Sequence, residues 1–326
     1  MLFSVIIPTW KRDKELDLIL KSLSEQAFKL NIVVQVIVAD SHSSDKITYI
    51  CDKWKEKSNS LKIEHVHTEN VLASKRNYGL KFSEGKYIIF LDDDCVPTST
   101  FLECCMSYLP QLNKKIVFCG EVRFLPEQIN SSNYYRYRDS RHPKSQVGKR
   151  LDQWGFVAMN FIISKEQIIH NQLSFDENFI GYGAEDHDYG FKLVDKNFDI
   201  IQGEQCIMHY EFGGDINKYA NKIYHASRDG IKVMKKIYKD RVYIGKTKLR
   251  LIEYVFSSPI LKSLGLYTLF SPIFRNFIIK FLLLTDKVKF YHFNFLYRYI
   301  ILSSYIHGII DRGNKDLNEL KENWYK

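Results

Sequence analysis

The segment Tyr87 to Pro97, YIIFLDDDCVP, constrains this chain more than any other. Five apolar or aromatic residues run directly into three consecutive carboxylates, Asp92, Asp93 and Asp94, and then into a proline that ends strand pairing. Such a run is a strand buried on both faces, as in a parallel sheet covered by helices, where ligands gather beyond the carboxyl ends of the strands. Three like charges at one strand end repel one another, so the cluster calls for a counter-cation, and a divalent metal is the natural candidate. The other reading is a solvated acidic turn capping a helix that begins near Thr98.

The flanking sequence repeats one pattern. A strand over 3–8 precedes a helix over 13–29, whose Leu16, Ile19, Leu20 and Leu23 share one face. A strand over 32–39 ends at Asp40; the polar SHSSD supplies an N-cap for a helix over 47–57. A strand over 62–67 and a helix over 72–82 lead to the central strand. This alternation predicts right-handed crossovers and a mainly parallel α/β sheet. Further on, the spacing predicts a helix over 98–109 and a strand over 116–124. The polar, aperiodic stretch 127–151 reads as an active-site lid or binding loop, or as plain disorder. A strand over 155–164, a short helix, a turn at 175–179 and a helix over 185–193 follow. Asp186 falls in the first turn of that last helix, and a closing strand or pair of strands over 199–212 carries His209.

At 326 residues and 45% hydrophobic content, the chain has room for one large α/β domain and an appendage. Its formal charge of +9 is unevenly placed. Residues 1–213 hold 26 Lys/Arg against 29 Asp/Glu, net −3, whereas residues 214–326 hold 21 against 9, net +12. The shift marks a domain boundary at Gly213-Gly214 and makes 214–326 a candidate for contact with phosphates or an anionic membrane surface. Nucleic acid ranks lower, because no nucleic-acid module motif is present. The six cysteines form no CxxC pair and no zinc spacing, and read as reduced cytosolic thiols. Cys95 reads as a packing residue before a nucleophile. The start, MLFSVIIPTW, lacks a basic n-region and meets Pro8 too early for a signal peptide, so a cytoplasmic protein is expected, or one peripheral on the inner face of the cell membrane.

Four blocks taken together resemble family 2 glycosyltransferases: SVIIPTWKR, ADSHSSD, ASKRNYGLKFSEGKYIIFLDDD and FDENFIGYGAEDHDYGFKL. They occur in the family's order and cover residues 1–213. The resemblance implies a GT-A catalytic domain over 1–213, followed by a basic, aromatic-rich helical extension over 214–326. It implies an enzyme that transfers a sugar, with inversion, from a nucleotide diphosphate donor, UDP-sugar foremost, to a glycan or lipid-linked acceptor.

Breaking a sugar–diphosphate bond leaves negative charge on the leaving group, which a divalent cation stabilises. By resemblance Asp94 is a metal ligand, with His209 a further one; hard oxygens suit Mg²⁺ or Mn²⁺, and an imidazole tilts the choice toward Mn²⁺. Asp92 matches the first acid of the DxD pattern and contacts the donor. Asp93, between them, is grouped with the donor site, with bare solvation as its other reading. Inversion needs a base on the far side of the sugar, a role that falls to Asp186, with Glu185 holding the acceptor. Pro8 and Thr9 are expected to line the base pocket, Asp40 to accept from a base N–H, and Arg76 to pair with phosphate or with Asp40. Asn160 is carried over as a donor contact.

Rival readings are a sugar nucleotidyltransferase, which would bring a glycine-rich loop after the first strand, and a non-catalytic nucleotide or glycan binder. In 214–326, basic amphipathic segments over 216–238 and 247–256 precede apolar stretches over 273–284 and 293–310. Neither stretch makes a 20-residue span. They read as core helices or as interfacial helices lying on a membrane.

Overall fold

The computed structural model describes residues 1–42, 45–142 and 146–311. The chain divides into two compact units: Met1–Leu125, Ser140–Ile180 and Glu185–Glu211 form the first, and Pro126–Asp139, Gly181–Ala184 and the chain from Phe212 form the second.

Unit 1 begins with β1 (Phe3–Thr9), α1 (Asp13–Lys29), β2 (Val34–Asp40), α2 (Asp45–Lys57), β3 (Leu61–His67), α3 (Leu72–Phe82) and β4 (Tyr87–Leu91). The N-cap expected within SHSSD falls beside residues 43–44, outside the described residues. After β4 come β5 (Cys95–Pro97), α4 (Phe101–Ser107) and β6 (Ile116–Phe124). The next two helices, α5 (Pro126–Ser131) and α6 (Asn133–Arg141), belong mostly to unit 2. Unit 1 resumes with β7 (Arg150–Leu151), β8 (Asn160–Ser164), α7 (Lys165–His170), α8 (Glu185–Asp195) and β9 (Asp199–His209).

Among the described residues, nine strands form one sheet in the order β3-β2-β1-β4-β8-β6-β9-β5, with β7 also on β9. Strands β3, β2, β1 and β4 are parallel, as the βα alternation predicts; β8 then runs antiparallel to β4 and β6, so the sheet as a whole is mixed. Successive side chains of a strand point to opposite faces, and both faces are apolar here. Val5, Ile7, Val36 and Val38 pack against α1 and α2, whereas Ile6, Ile37, Ile88 and Phe90 lie in a second core with Phe161, Tyr189 and Leu193. Burial on both faces is why these strands read as continuous apolar runs. Because β1, β2 and β4 are parallel, Thr9, Asp40 and Asp92 all emerge at one edge of the sheet. Strand β1 lies between β2 and β4, so the connections diverge there, a topological switch point.

The stretch 127–151, expected as a long aperiodic loop or as disorder, is instead mostly ordered among the described residues, in α5, α6 and β7. Helix α6, NYYRYRDSR, has almost no apolar periodicity; it is held in unit 2 by tyrosines and polar contacts. Tyr137 stacks on Tyr297, and Asn133 Nδ2 donates to the carbonyls of Thr285 and Val288.

Among the described residues the rest of unit 2 is mainly helical: α9 (Ile216–His225), a π turn (Ala226–Ile231), α10 (Lys232–Tyr238), α11 (Thr247–Ser257), α12 (Pro259–Tyr267), α13 (Pro272–Leu284) and α14 (Asn294–Ile310). The π turn packs on Gly181–Ala184. A Cβ on Gly230 would sit 2.1 Å from the Gly183 carbonyl, so only glycine fits. The core-helix reading of 293–310 holds for α14, which buries Tyr297, Ile300 and Ile306, and that of 273–284 holds for one side of α13, which buries Ile278, Ile279 and Leu282 but leaves Ile273 and Leu284 exposed; α12, before them, buries nothing.

Candidate active site

Strand register brings the expected metal pair together. Cys95 on β5 is paired with His209 at the end of β9, which places His209 beside Asp94, and the Tyr210 N–H donates to the Asp94 carbonyl at 2.7 Å. His209 Nε2 lies 3.2 Å from Asp94 Oδ2, its ring rests on Phe124, and its buried Nδ1 has no hydrogen-bond partner. One carboxylate oxygen and one imidazole nitrogen at this separation match adjacent ligands of a Mn²⁺- or Mg²⁺-sized ion. The donor set fits a divalent metal.

The three carboxylates are not alike. Asp93 is buried: it accepts from the Trp10 N–H at 3.0 Å and faces Arg12 Nε at 3.4 Å. Burial pushes its carboxyl up to about 7, against the pull of Arg12. The solvated reading of Asp93 is therefore corrected; it ties the turn after β1 to the acidic cluster. Arg12 also reaches Asp94, its Nη1 lying 3.1 Å from Oδ2. Part of the counter-charge that the sequence demanded thus comes from this arginine, which sequence reasoning passed over although it stands in the quoted SVIIPTWKR block.

Asp92 accepts from Arg76 Nη2 at 2.8 Å, and Arg76 Nη1 reaches Glu185 Oε1 at 3.1 Å. Arg76 is 1% exposed and its guanidinium lies over the Phe175 ring at 5.0 Å. The expected pairing of Arg76 with Asp40 is replaced by this bridge, which joins the end of β4 to the start of α8. One guanidinium serves two carboxylates, Glu185 buried and Asp92 half-buried. Burial opposes the charge of Arg76, but Asp92 and Glu185 outweigh that and raise its pKa; burial raises the pKa of Asp92 as well. Glu185 is pushed by burial up to about 7, with Asp186 adding to the rise and Arg76 opposing it. Its side chain is 7% exposed and its Oε2 has no hydrogen-bond partner.

Asp186, by contrast, keeps 30% of its side chain exposed in the first turn of α8, and its Oδ1 accepts from the His187 N–H at 2.7 Å. The FDENF turn that leads toward it is pinned to α3: Asn77 donates to the Phe175 carbonyl and to Glu177, and Ser74 donates to Glu177.

At the far side of the edge, Pro8 and Thr9 are buried, and Thr9 is paired in register with Asp40. Asp40 is wholly buried, its Oδ1 accepting from the His42 N–H at 2.9 Å. Lys75, missed by the sequence reading although it adjoins Arg76, donates Nζ to the Thr9 carbonyl at 2.9 Å and to Asn70. Burial pulls it down to about 8, opposed by Asp93 and Asp40. Asn160 is placed differently from expectation: its amide nitrogen donates to the carbonyls of Glu121 and Gln205 inside the sheet. A groove of about 810 Å³ lined by Asn77, Lys81, Lys165, Glu177 and Lys192 among others includes none of the expected site residues.

A mixed sheet flanked by helices, with carboxylates collected at the ends of its parallel strands, is the GT-A type of fold. The chain belongs to glycosyl transferase family 2, whose model matches residues 4–168. It is 27% identical over 289 residues to chondroitin synthase of Pasteurella multocida, covering 77% of this chain and 28% of that protein. It is 37% identical over 95 residues to the poly(ribitol-phosphate) beta-N-acetylglucosaminyltransferase TarS of Staphylococcus aureus, covering 29% of this chain and 16% of that one. The chain thus spans less than a third of the length of either relative. Among solved structures, the mannosyltransferase PcManGT of Pyrobaculum calidifontis, in complex with GDP-Man and Mn²⁺, is similar with a TM-score of 0.57 at 15% identity, over 95% of this chain and 88% of that one.

Proposed function

We propose that this chain is an inverting glycosyltransferase that moves a sugar from a nucleotide diphosphate donor, UDP-sugar foremost, to an acceptor hydroxyl on a glycan or lipid-linked glycan. The observation that carries the proposal is the Asp94–His209 pair at 3.2 Å, set one residue past a carboxylate, Asp93, that is itself locked to Trp10. These two residues would hold Mn²⁺ or Mg²⁺, Mn²⁺ favoured by the imidazole. Bound there, the ion supplies Lewis-acid stabilisation of the diphosphate leaving group.

The chain's own residues divide the remaining work. Asp92 stands beside the metal pair, oriented by Arg76 for contact with the donor. Asp186 is the general base: it is the half-exposed carboxylate of the Glu185-Asp186 pair, so an acceptor hydroxyl can reach it. Glu185 is held by Arg76 and positions the start of α8. Pro8, Thr9 and Asp40 form the base pocket, Asp40 presenting Oδ2 to a base N–H. A panel of nucleotide sugars with Mn²⁺, read by nucleotide release in the wild type and in Asp94→Ala, tests this. The expected result is release from one donor class, abolished by EDTA and by the substitution. Release that survives both would overturn it.

The acceptor reading extends to the membrane. No single helix among the described residues is long and apolar enough to cross one, although α12 and α13 pass that test together as a pair bent by 42°. Ile260, Tyr267, Ile273 and Leu284 on these two helices are each at least 80% exposed, with Lys280 exposed among them. An apolar face of this kind beside lysines suits the interface of an anionic bilayer, where a lipid-linked acceptor would be found.

A further inference from the structure

Two buried polar atoms of unit 1 face each other at ion-pair distance with no hydrogen bond to either. Asp40 Oδ2 and His65 Nε2 lie 3.5 Å apart, and neither has a hydrogen-bond partner. Asp40 is 0% exposed and the His65 side chain is 10% exposed, so water does not compensate freely. A buried polar atom left without a hydrogen bond destabilises the fold unless a ligand satisfies it. His67, two residues along β3, projects from the same face of the sheet as His65, and its Cα is paired in register with Asp40. Ligand atoms of Asp40, His65 and His67 all lie within 4.8 Å of one another.

We propose that Asp40, His65 and His67 form a second metal site, taking a borderline transition-metal dication such as Zn²⁺, distinct from the Asp94–His209 pair. Two imidazoles and a carboxylate with a position left open is a known zinc donor set, with zinc–ligand bonds of about 2.0–2.2 Å. Tetrahedral ligands at that range stand about 3.3–3.5 Å apart, the separation of Asp40 Oδ2 and His65 Nε2. His67 is exposed and closes on the ion by a side-chain rotation, leaving the fourth position to water. Asp40 Oδ1 is already held by the His42 N–H, so Oδ2 is the oxygen that remains for a ligand. The Lys75 ammonium, whose charge acts on Asp40, lowers the affinity of the site without blocking it.

A consequence rests on the proposed role of Asp40 in the base pocket: Zn²⁺ and the nucleobase compete for Oδ2. Metal occupancy would then inhibit donor binding.

The site is tested by titrating Zn²⁺ into the full chain in chelator-free buffer by calorimetry, with Co²⁺ absorption as a report of imidazole coordination. One equivalent is expected in Asp94→Ala and up to two in the wild type, where the Asp94–His209 pair also takes Zn²⁺; in the Asp94→Ala background, binding is expected to be at least about tenfold weaker with His65→Gln or His67→Gln added. Thermal melts without metal confirm that both variants fold; because His67 is exposed, His67→Gln keeps the test decisive should His65→Gln fail to fold. An isotherm that is unchanged when His67→Gln is added to Asp94→Ala in a folded chain overturns the site, as does absence of binding in Asp94→Ala itself, which would leave a direct His65–Asp40 pair. The competition is tested separately with uridine, which lacks phosphates that would chelate Zn²⁺. Its binding, followed by saturation-transfer NMR, is expected to fall at least about fivefold with Zn²⁺ in the wild type and not in His67→Gln. Uridine binding untouched by bound Zn²⁺ keeps the metal site and removes Asp40 from the base pocket.

Discussion

Arg12 Nη1 lies 3.1 Å from Asp94 Oδ2, the same oxygen that His209 Nε2 faces at 3.2 Å. A dication arriving at Asp94 must share that oxygen with a guanidinium or displace it. The Arg12 side chain is 26% exposed, so its pairing is worth only about 1 kcal/mol. Arg12→Gln is therefore expected to tighten Mn²⁺ binding about fivefold in the absence of nucleotide, measured by calorimetry. Weaker binding in the variant would show instead that Arg12 props Asp94 in its ligating position.

Asp186→Asn separates catalysis from donor binding. Asn keeps the size of the side chain and loses its basicity, while the donor is held by other residues. General-base catalysis is worth about 10²- to 10⁴-fold, so kcat should drop at least about a hundredfold with donor affinity nearly unchanged. If more than about a tenth of turnover survived, the base would have to be sought in Glu185 or Asp188. Asp188 is the weaker of these, being wholly buried and paired with Lys192.

How far this site could be read from the sequence differs residue by residue. The acidic strand end, the βα alternation and the meeting of Asp94 with His209 follow from patterns of period two and from family order, so they were legible. The buried bridge from Asp92 through Arg76 to Glu185 was not, because nothing in a run of residues says which of two carboxylates an arginine will choose. Lys75 was missed because a buried lysine inside a helix looks like a solvated one. Asn160 is paired in register with Leu91 at the end of β4, and its amide nitrogen is taken by the carbonyls of Glu121 and Gln205, partners distant in sequence that no local pattern reveals. Helix α6 was illegible because its tyrosines pack on residues more than 80 positions away rather than along an apolar stripe.

Glu185 makes stability depend on pH in a defined direction. Its carboxyl ordinarily titrates near 4.5 and is held up to about 7 in the fold. Between those values the folded chain keeps a proton that the unfolded chain has released, so stability falls as pH rises through that window, and the penalty is complete above it. Glu185→Gln removes the titration. Urea unfolding from pH 4.5 to 7.5 should therefore show the variant faring better relative to wild type at the upper end than at the lower. Lys75, pulled down to about 8, remains mainly protonated over this range. A difference between variant and wild type that stays constant with pH would mean that Arg76 keeps Glu185 ionised throughout.

The helices α12 and α13 allow the membrane reading to be tested without disturbing the fold. Ile273 and Leu284 are each 84% exposed, so replacing them with Glu removes little packing, and both variants should melt as the wild type does. Fully burying one such side chain is worth about 1.5–3 kcal/mol, so a bilayer that takes up both should bind the double variant Ile273→Glu/Leu284→Glu at least about tenfold more weakly. The surrounding charge acts alongside. Residues 214–326 carry a net +12, and exposed charges are screened beyond about 8–10 Å near physiological ionic strength. The full chain should therefore co-sediment with vesicles containing phosphatidylglycerol, less with neutral vesicles, and progressively less as salt is raised. Loss of binding in the double variant with salt sensitivity retained in the wild type would assign the apolar face and the lysines to one interface. Equal sedimentation of wild type and double variant would mean that α12 and α13 do not enter the bilayer, and the exposed face would then have to be covered by protein.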